Sequence, residues 1–357
     1  MTTFNSHPSP DSEAETGSDR SESPSTPPSA SFSHGEQSHQ EDLDWERAGR
    51  LLTRQIQKFQ HLLARVLSGE EGEAVHDLRV CTRRLQQIVI VLAAGTHSTR
   101  GRGLQRELRQ VRRAVGKWRN CDVVLQWVER QEMAGRSRDR RAACQLLRTA
   151  LERRRRRQIR RARRKLLKPG LLTISDSAAR ILPAARAQRA APTLRQRVRM
   201  ALNQAYERWQ AALANAVAQP SDKHFHALRI KTKGLRYHIE LAGEFGLPAK
   251  AEIAWLRSFQ DGLGRWHDRR ELGLSIARTL AKPRLLLTQP RLAVGLLREV
   301  ERNQRRRQEE TARLLDQAQH SQGAAELRRW VGALSEPAPL SGQLEDLSQG
   351  AKLAPTA

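Results

Sequence analysis

Aromatic residues are scarce in this sequence, 4% of 357 positions, too few for a surface of stacking platforms for single-stranded RNA or DNA. Cysteine is almost absent as well. Cys81, Cys121 and Cys144 are odd in number and lack C-x-x-C spacing, which excludes a disulfide framework or a zinc site. They read as small buried apolar residues suited to a reducing compartment. The most apolar short stretch, Ile88 to Ala94, falls far below the roughly 20 residues needed to span a bilayer. The opening MTTFNSHPSPDSEAETGSDR has neither the basic start nor the apolar run of a secretory leader, so a soluble, cytoplasmic protein without membrane contact is expected. No stretch alternates with the period of a strand. There is no G-x-x-x-x-G-K-[ST] loop, no carboxylate cluster to hold Mg²⁺, and no Cys or Ser nucleophile paired with a His. No catalytic residue, cofactor or metal is therefore assigned, and the protein is not expected to be an enzyme.

What the sequence has in excess is positive charge. Lys and Arg number 64 against 38 Asp and Glu, a net of +26. The imbalance is uneven. Residues 1–45 carry nine acids and one Arg, net −8, which leaves +34 on residues 46–357. A folded body that basic repels itself unless something anionic lies against it. Residues 1–42, rich in Ser, Pro and acid, read as a disordered acidic tail. Its charge, opposite to that of the body, suits a weak tethered competitor for a basic site, or equally a solubilising tail without contacts.

From Asp42 onward the pattern is helical. Leu51, Leu52, Ile56, Phe59, Leu62, Leu63 and Val66 recur at three- and four-residue spacing, as one buried helix face requires. Further helical stretches are predicted at about 73–94, 104–133, 138–167, 193–218, 222–245, 250–280 and 291–319. Gly95, Gly101, Gly103 and Gly135 mark expected turns, and Pro169-Gly170 opens a looser connector to residue 192. The fold class is all-α, two four-helix bundles. The first is placed at about 43–168, the second at about 193–335, with a flexible tail over 336–357.

An internal repeat supports that division. Val75-His76-Asp77-Leu78-Arg79-Val80 matches Phe225-His226-Ala227-Leu228-Arg229-Ile230, followed by Thr82 with Thr232, Arg83 with Lys233 and Leu85 with Leu235. Val115-Gly116-Lys117-Trp118 then matches Leu263-Gly264-Arg265-Trp266 at nearly the same separation. A duplicated four-helix unit with a pseudo-two-fold axis is the expectation. On a helix, His226, Arg229, Lys233 and Arg236 fall within an arc of about 80°, and His76, Arg79 and Arg83 do likewise. Apolar residues (Val75, Leu78, Leu85, Val89, Leu92; Phe225, Leu228, Leu235, Ile239) fill the adjoining arc. Stacked cations destabilise a helix by a few tenths of a kcal/mol per pair, and acids on these helices are outnumbered, so an external polyanion is the better counterpart. Most of Arg153 to Arg157, by contrast, must face water, since five consecutive arginines point all around a helix. Gly116 and Gly264 read as close-contact positions beside Trp118 and Trp266 in the core.

Four blocks, VHDLRVCTRRLQQIVIVL (75–92), LRQVRRAVGKWRNCDVVL (108–125), FHALRIKTKGLRYHIELA (225–242) and LRSFQDGLGRWHDRREL (256–272), occur in the order found in the CHAD family of histidine-containing α-helical domains. The sequence resembles that family over about 43–320. The resemblance implies two four-helix bundles around a shared basic groove, binding of inorganic polyphosphate, and association with polyphosphate granules. By it, His76, Arg79, Arg83, His226, Arg229, Lys233 and Arg236 are groove residues. Cations of the other two blocks complete the candidate set: Arg109, Arg112 and Lys117 in one, Arg257 and Arg265 in the other. Two departures stand out: Gly234 replaces a usual cation before Leu-Arg-Tyr, and Asn120 replaces the acid that His267-Asp268 retains. Nothing resembles the Glu-x-Glu-x-Glu strand of the triphosphate-tunnel domain that some members carry. Composition alone would equally allow a nucleic-acid-binding protein. The few aromatics, the lack of a recognition motif and the placement of cations beside the apolar helix faces argue against that alternative.

Overall fold

The computed structural model describes residues 34–69, 72–94, 99–134, 138–188 and 191–335. The predicted tails lie outside the described residues, except for 34–42. That stretch begins the first helix, so helix starts earlier than Asp42. The chain divides into a unit ending at His39 and a unit of Gln40–Ala357. The second unit holds all the buried apolar residues. Every described element is helical. The long helices are α1 (His34–Ser68), α2 (Glu73–Leu92), α3 (Thr99–Ala134), α4 (Arg138–Leu166), α8 (Leu194–Ala218), α9 (Asp222–Gly243), α10 (Lys250–Leu280) and α12 (Pro290–His320). Between them come α5 (Pro169–Leu172), α6 (Ile174–Ala179), α7 (Ile181–Arg186) and α11 (Pro283–Thr288), and α13 (Gln322–Ser335) follows.

The ends of these helices follow local chemistry. Thr193 and Gln196 cap the start of α8 reciprocally, and the Ser221 hydroxyl accepts from His224 N–H at 3.3 Å at the start of α9. Gly246, at φ +82°, turns the chain after α9 so that Leu247 N–H reaches the Ala242 carbonyl at 3.2 Å. Pro283 and Pro290 stand in the first turns of α11 and α12, where no backbone donor is needed. Three expectations are corrected. Gly101 and Gly103 lie inside α3 rather than in a turn, their cost of about 1 kcal/mol each offset by Leu104 and Leu108, which are buried one and two turns later. The connector after Pro169 is not loose. It forms α5 to α7, because Leu171, Ile174, Ala178, Ile181 and Ala185 bury their side chains. Gly95 and Gly135 lie outside the described residues.

The apolar residues do not form one core per set of four helices. One cluster joins the predicted faces of α1, α2, α3, α8, α9 and α10, including Phe59, Leu78, Trp118, Trp209, Phe225, Leu228, Phe259 and Trp266. A second lies where the far half of α3 with α4 meets the far half of α10 with α12, around Val128, Leu147, Leu151, Leu272, Ile276 and Leu296. The matched sequence blocks fall on corresponding elements, α2 with α9 and α3 with α10. Trp118 and Trp266 are core residues, as expected, and all three cysteines are buried free thiols. Burial pushes the Cys81 thiol up to about 12.

Arg197, 1% exposed, ties the connector to the body. Its guanidinium donates to the carbonyls of Pro192 (2.8 Å), Leu92 (2.8 Å) and Ala185 (3.3 Å) and lies over the Trp45 ring. Replacing it by Met strands three buried acceptors. Arg197→Met is expected to lower unfolding stability in urea by about 3 kcal/mol or more while leaving anion affinity of the folded protein unchanged. A variant as stable as the parent would show that water, and not Arg197, satisfies those carbonyls.

Candidate functional site

The apolar stripes of α2 and α9 turn into the core, which leaves their basic stripes on a shared side where the two helices pack together. The cations therefore meet across the seam. Arg79 on α2 has Arg83, Arg229 and, from α3, Arg119 as its charged neighbours. Lys233 on α9 faces Arg229, Arg83, Arg79 and Arg236. Arg112 of α3 joins the cluster beside Arg83 and Arg79. Among the described residues, no carboxylate forms an ion pair with Arg79, Arg83, Arg112, Arg229 or Lys233.

Neutral partners hold the arginines instead. Arg79 Nη1 donates to the Arg112 carbonyl at 3.2 Å, and Arg112 Nη1 returns a bond to the Thr82 carbonyl at 3.1 Å. The other arm of Arg112 reaches Gln86 Oε1. Arg83 lies beside the Tyr237 side chain, which favours its charged form against the burial that lowers its pKa. Arg236 lies over the Tyr237 ring at 4.5 Å and pairs with Glu240 at 2.9 Å. Glu240 also reaches Arg84 of α2 and Arg257 of α10, each at 3.5 Å, so this carboxylate fastens three helices at the edge of the cluster. Gly116 faces this network. A Cβ there would meet Arg79 Nη1 at 3.1 Å, so the glycine makes room for a guanidinium and not for a helix, contrary to expectation; Gly264 has nothing within 4 Å. Two orphaned donors point to an acceptor not supplied by the chain: Arg229 Nε and Arg236 Nε are buried without a hydrogen-bond partner, and His267 Nδ1 is buried without one as well.

Burial and mutual repulsion disfavour the charged forms. Arg79 and Arg112 are pushed down to about 9, first by desolvation and then by their arginine neighbours, and Arg229 to about 10. Lys233 falls to about 6, again from burial and then the surrounding guanidiniums. His76 and His226 border the same cluster: burial and then Arg119 lower the first, and burial and then Arg229 lower the second. His226 lies 5.7 Å from the ring of His267, which burial and Arg229 drive down to about 2. Asp268 sits among these cations. Burial raises its pKa, while Arg229, Arg119 and Lys233 pull the other way.

Of the candidate residues, the structure brings together His76, Arg79, Arg83, Arg112, His226, Arg229, Lys233 and Arg236. Arg109, exposed, adjoins Arg112, and Arg257 stands at the edge through Glu240. Lys117 is exposed on α3. Arg265 turns away toward α12, paired with Glu310 at 3.1 Å. Arg119, His267 and Asp268 were missing from the candidate set. Arg119 and His267 occupy the same place in the repeat, one residue past the two Trp positions, and that coincidence was the available signal. His224 bonds the Gln219 carbonyl at 2.8 Å and serves the helix start. Among the described residues no three His, Cys, Asp or Glu side chains are grouped to hold a metal ion, and no helix is long and apolar enough to cross a membrane.

The sequence model of the CHAD domain matches residues 50–274. Two solved structures share the fold. A structure titled as the CHAD domain from the plant Ricinus communis aligns at 20% identity and a TM-score of 0.55, covering 82% of this chain and 93% of that one. PptA from Streptomyces chartreusis aligns at 20% identity and a TM-score of 0.58, covering 77% of this chain and 98% of that one. A comparison with curated proteins found no match.

Lys233 gives the cluster a pH signature. Between about 6 and its ordinary 10.5, the unfolded chain binds a proton there that the folded chain does not. The penalty on folding is thus complete below about pH 6 and disappears above 10.5. Ligand-free Lys233→Met is expected to be more stable than the parent near neutral pH, measured by urea unfolding, with the advantage shrinking as the solution becomes alkaline. An advantage independent of pH would place the Lys233 amine in water.

Proposed function

Because this chain belongs to the CHAD domain family, we propose that it binds inorganic polyphosphate, without catalysing its turnover, along the seam of α2 and α9. One observation carries the reading: half-buried cations from two helices converge, and among the described residues no carboxylate forms an ion pair with Arg79, Arg83, Arg229 or Lys233. A linear phosphate polymer supplies about one negative charge per unit, at a spacing that a row of side chains can follow. It meets Arg and Lys in charge-assisted hydrogen bonds, and releases condensed counterions as it does so. Bound phosphate also removes the repulsion that holds Lys233 and the histidines neutral. Arg229 Nε and Arg236 Nε gain acceptors. Association with polyphosphate granules in the cytoplasm follows from this reading, and nucleic acid, which offers a similar backbone charge, is the competitor to test.

Labelled long-chain polyphosphate is expected to be displaced by unlabelled polyphosphate far better than by duplex DNA, RNA or pyrophosphate, at low and at high salt. Displacement by DNA or RNA at equal phosphate concentration would overturn the reading in favour of nucleic acid. Arg79→Gln with Arg83→Gln, or Arg229→Gln with Lys233→Gln, should weaken polyphosphate binding by about tenfold or more per pair. The slope of affinity against salt should flatten as contacts are lost.

The histidines add a pH dependence whose sign is fixed. Ligand-free His76 and His226 titrate below their ordinary 6.5, and a bound anion raises them, so binding takes up protons. Affinity should climb as pH falls through that region and level off once both free imidazoles are charged. In His76→Gln with His226→Gln the climb should be smaller. An undiminished climb would remove the histidines from the binding site.

A further inference from the structure

A second basic feature lies beyond the seam. Between α4 and α10 runs a cleft of about 340 Å³ lined by Arg154, Arg157 and Arg161 on one side and Arg278 and Lys282 on the other. Buried Leu151, Ser275 and Thr279 form its floor. The three arginines of α4 form one wall, with Arg278 of α10 and Lys282 of the link between α10 and α11 on the other. No carboxylate lines the cleft, and none of the five forms an ion pair among the described residues. Arg155, the neighbour of Arg154, differs: it turns to Asp122 at 2.6 Å. The Arg run that sequence alone spreads around a helix is thus divided in three dimensions. Arg154, Arg157 and Arg161 fall within an arc of about 60°, whereas Arg153, Arg156 and Arg160 lie on another face.

The cleft lies in line with the cluster on α2 and α9. On α10, Asp268, Glu271, Ser275, Arg278 and Thr279 share one face, spanning about 16 Å along the helix axis, and Lys282 follows in the extended backbone between α10 and α11. Glu271 acts on His226 and Arg229 at the near end. Glu271 and Arg154 both lie within electrostatic reach of the Cys121 thiol, between the near end of this face and the cleft wall on α4. The acids at this junction are already balanced, Glu271 by Arg270 at 3.0 Å and Asp122 by Arg155. Asp268, at the near end of this face, has Arg229, Arg119 and Lys233 as its cationic neighbours, so an anion passing from the cluster to the cleft meets no carboxylate without a cation near it.

We infer that the cleft between α4 and α10 is a second phosphate subsite, taking the continuation of the same polyphosphate chain that lies on α2 and α9. This rests on the polyphosphate reading and adds a consequence: affinity depends on chain length. A short chain occupies the first cluster and ends there. A long chain occupies both, the second contact being made at the high effective concentration set by the intervening phosphates. Exposed guanidiniums on α4 and the mobile ammonium of Lys282 suit a polymer backbone better than a ligand of fixed shape.

The test compares the full-length protein with two triple variants, measured with tripolyphosphate and with long-chain polyphosphate. The cleft variant carries Arg154→Gln, Arg157→Gln and Arg161→Gln. The control carries Arg153→Gln, Arg156→Gln and Arg160→Gln, the same charge change on another face of the same helix. The cleft variant is expected to lose about tenfold in affinity for the long chain with tripolyphosphate affinity little changed, and the control should lose much less. Arg278→Gln with Lys282→Gln, from the opposite wall, should reproduce the cleft variant. Equal losses in cleft and control variants would reduce the effect to net charge and overturn the subsite. So would a cleft variant that keeps the parent's preference for long chains. Failure of the parent to bind either phosphate would instead overturn the polyphosphate reading itself, and the subsite with it.

Discussion

Two helices pack their cationic faces against each other beside a hydrophobic core, and much of the rest of the molecule is arranged around that conflict. Desolvation and like-charge repulsion both oppose such a contact. The chain does not resolve it with carboxylates. Backbone carbonyls of α2 and α3 take the guanidiniums of Arg79 and Arg112, the Tyr237 side chain lies beside Arg83, and Lys233 gives up its proton near neutral pH. Gly116 gives up a side chain so that Arg79 can lie flat. Except for the proton given up by Lys233, each of these devices keeps a cation in place without cancelling its charge.

That choice separates the seam from the ordinary surface of a basic protein. Elsewhere the arginines pair in the usual way: Arg270 and Arg307 with Asp222, Arg302 and Arg140 with Glu299, Arg195 with Asp44. Acids are present and are used. Along the seam they are kept to the margin, where Glu240 ties α2, α9 and α10 together through Arg84, Arg236 and Arg257. The distribution is therefore not a by-product of a high Arg content. Positions that could have held a neutralising carboxylate hold Thr, Gln, Tyr or Gly.

The hydrophobic arrangement keeps those cations in register. A core shared by α1, α2, α3, α8, α9 and α10 fixes the seam from behind, and a second cluster locks the far half of α3 and the first half of α4 to the far half of α10 and the first half of α12. The same clamp brings α4 alongside α10 and so creates the basic cleft. Arg197, buried against Leu92, Ala185 and Pro192, anchors the connector that leads from one set of helices to the next.

Sequence periodicity located most ends of the long helices to within a few residues, with the starts of α1 and α3 the least well bounded, and picked the faces of α2 and α9 that carry His76, Arg79, Arg83, His226, Arg229, Lys233 and Arg236. It could do so because a three-to-four-residue spacing is a property of one helix. The four blocks in order were enough for the family. Partners across helices were beyond that reach. That Arg112 joins the cluster while Arg265 turns to Glu310, that Gly116 accommodates an arginine, and that Arg119, His267 and Asp268 belong to the site depend on how separate helices are rotated against one another. So does the fate of the Arg run of α4, where Arg154 enters a cleft and Arg155 takes Asp122. The sequence determined which faces are charged. Only the packing of the apolar faces behind them decided which charges meet, because burial, not charge, orients the helices.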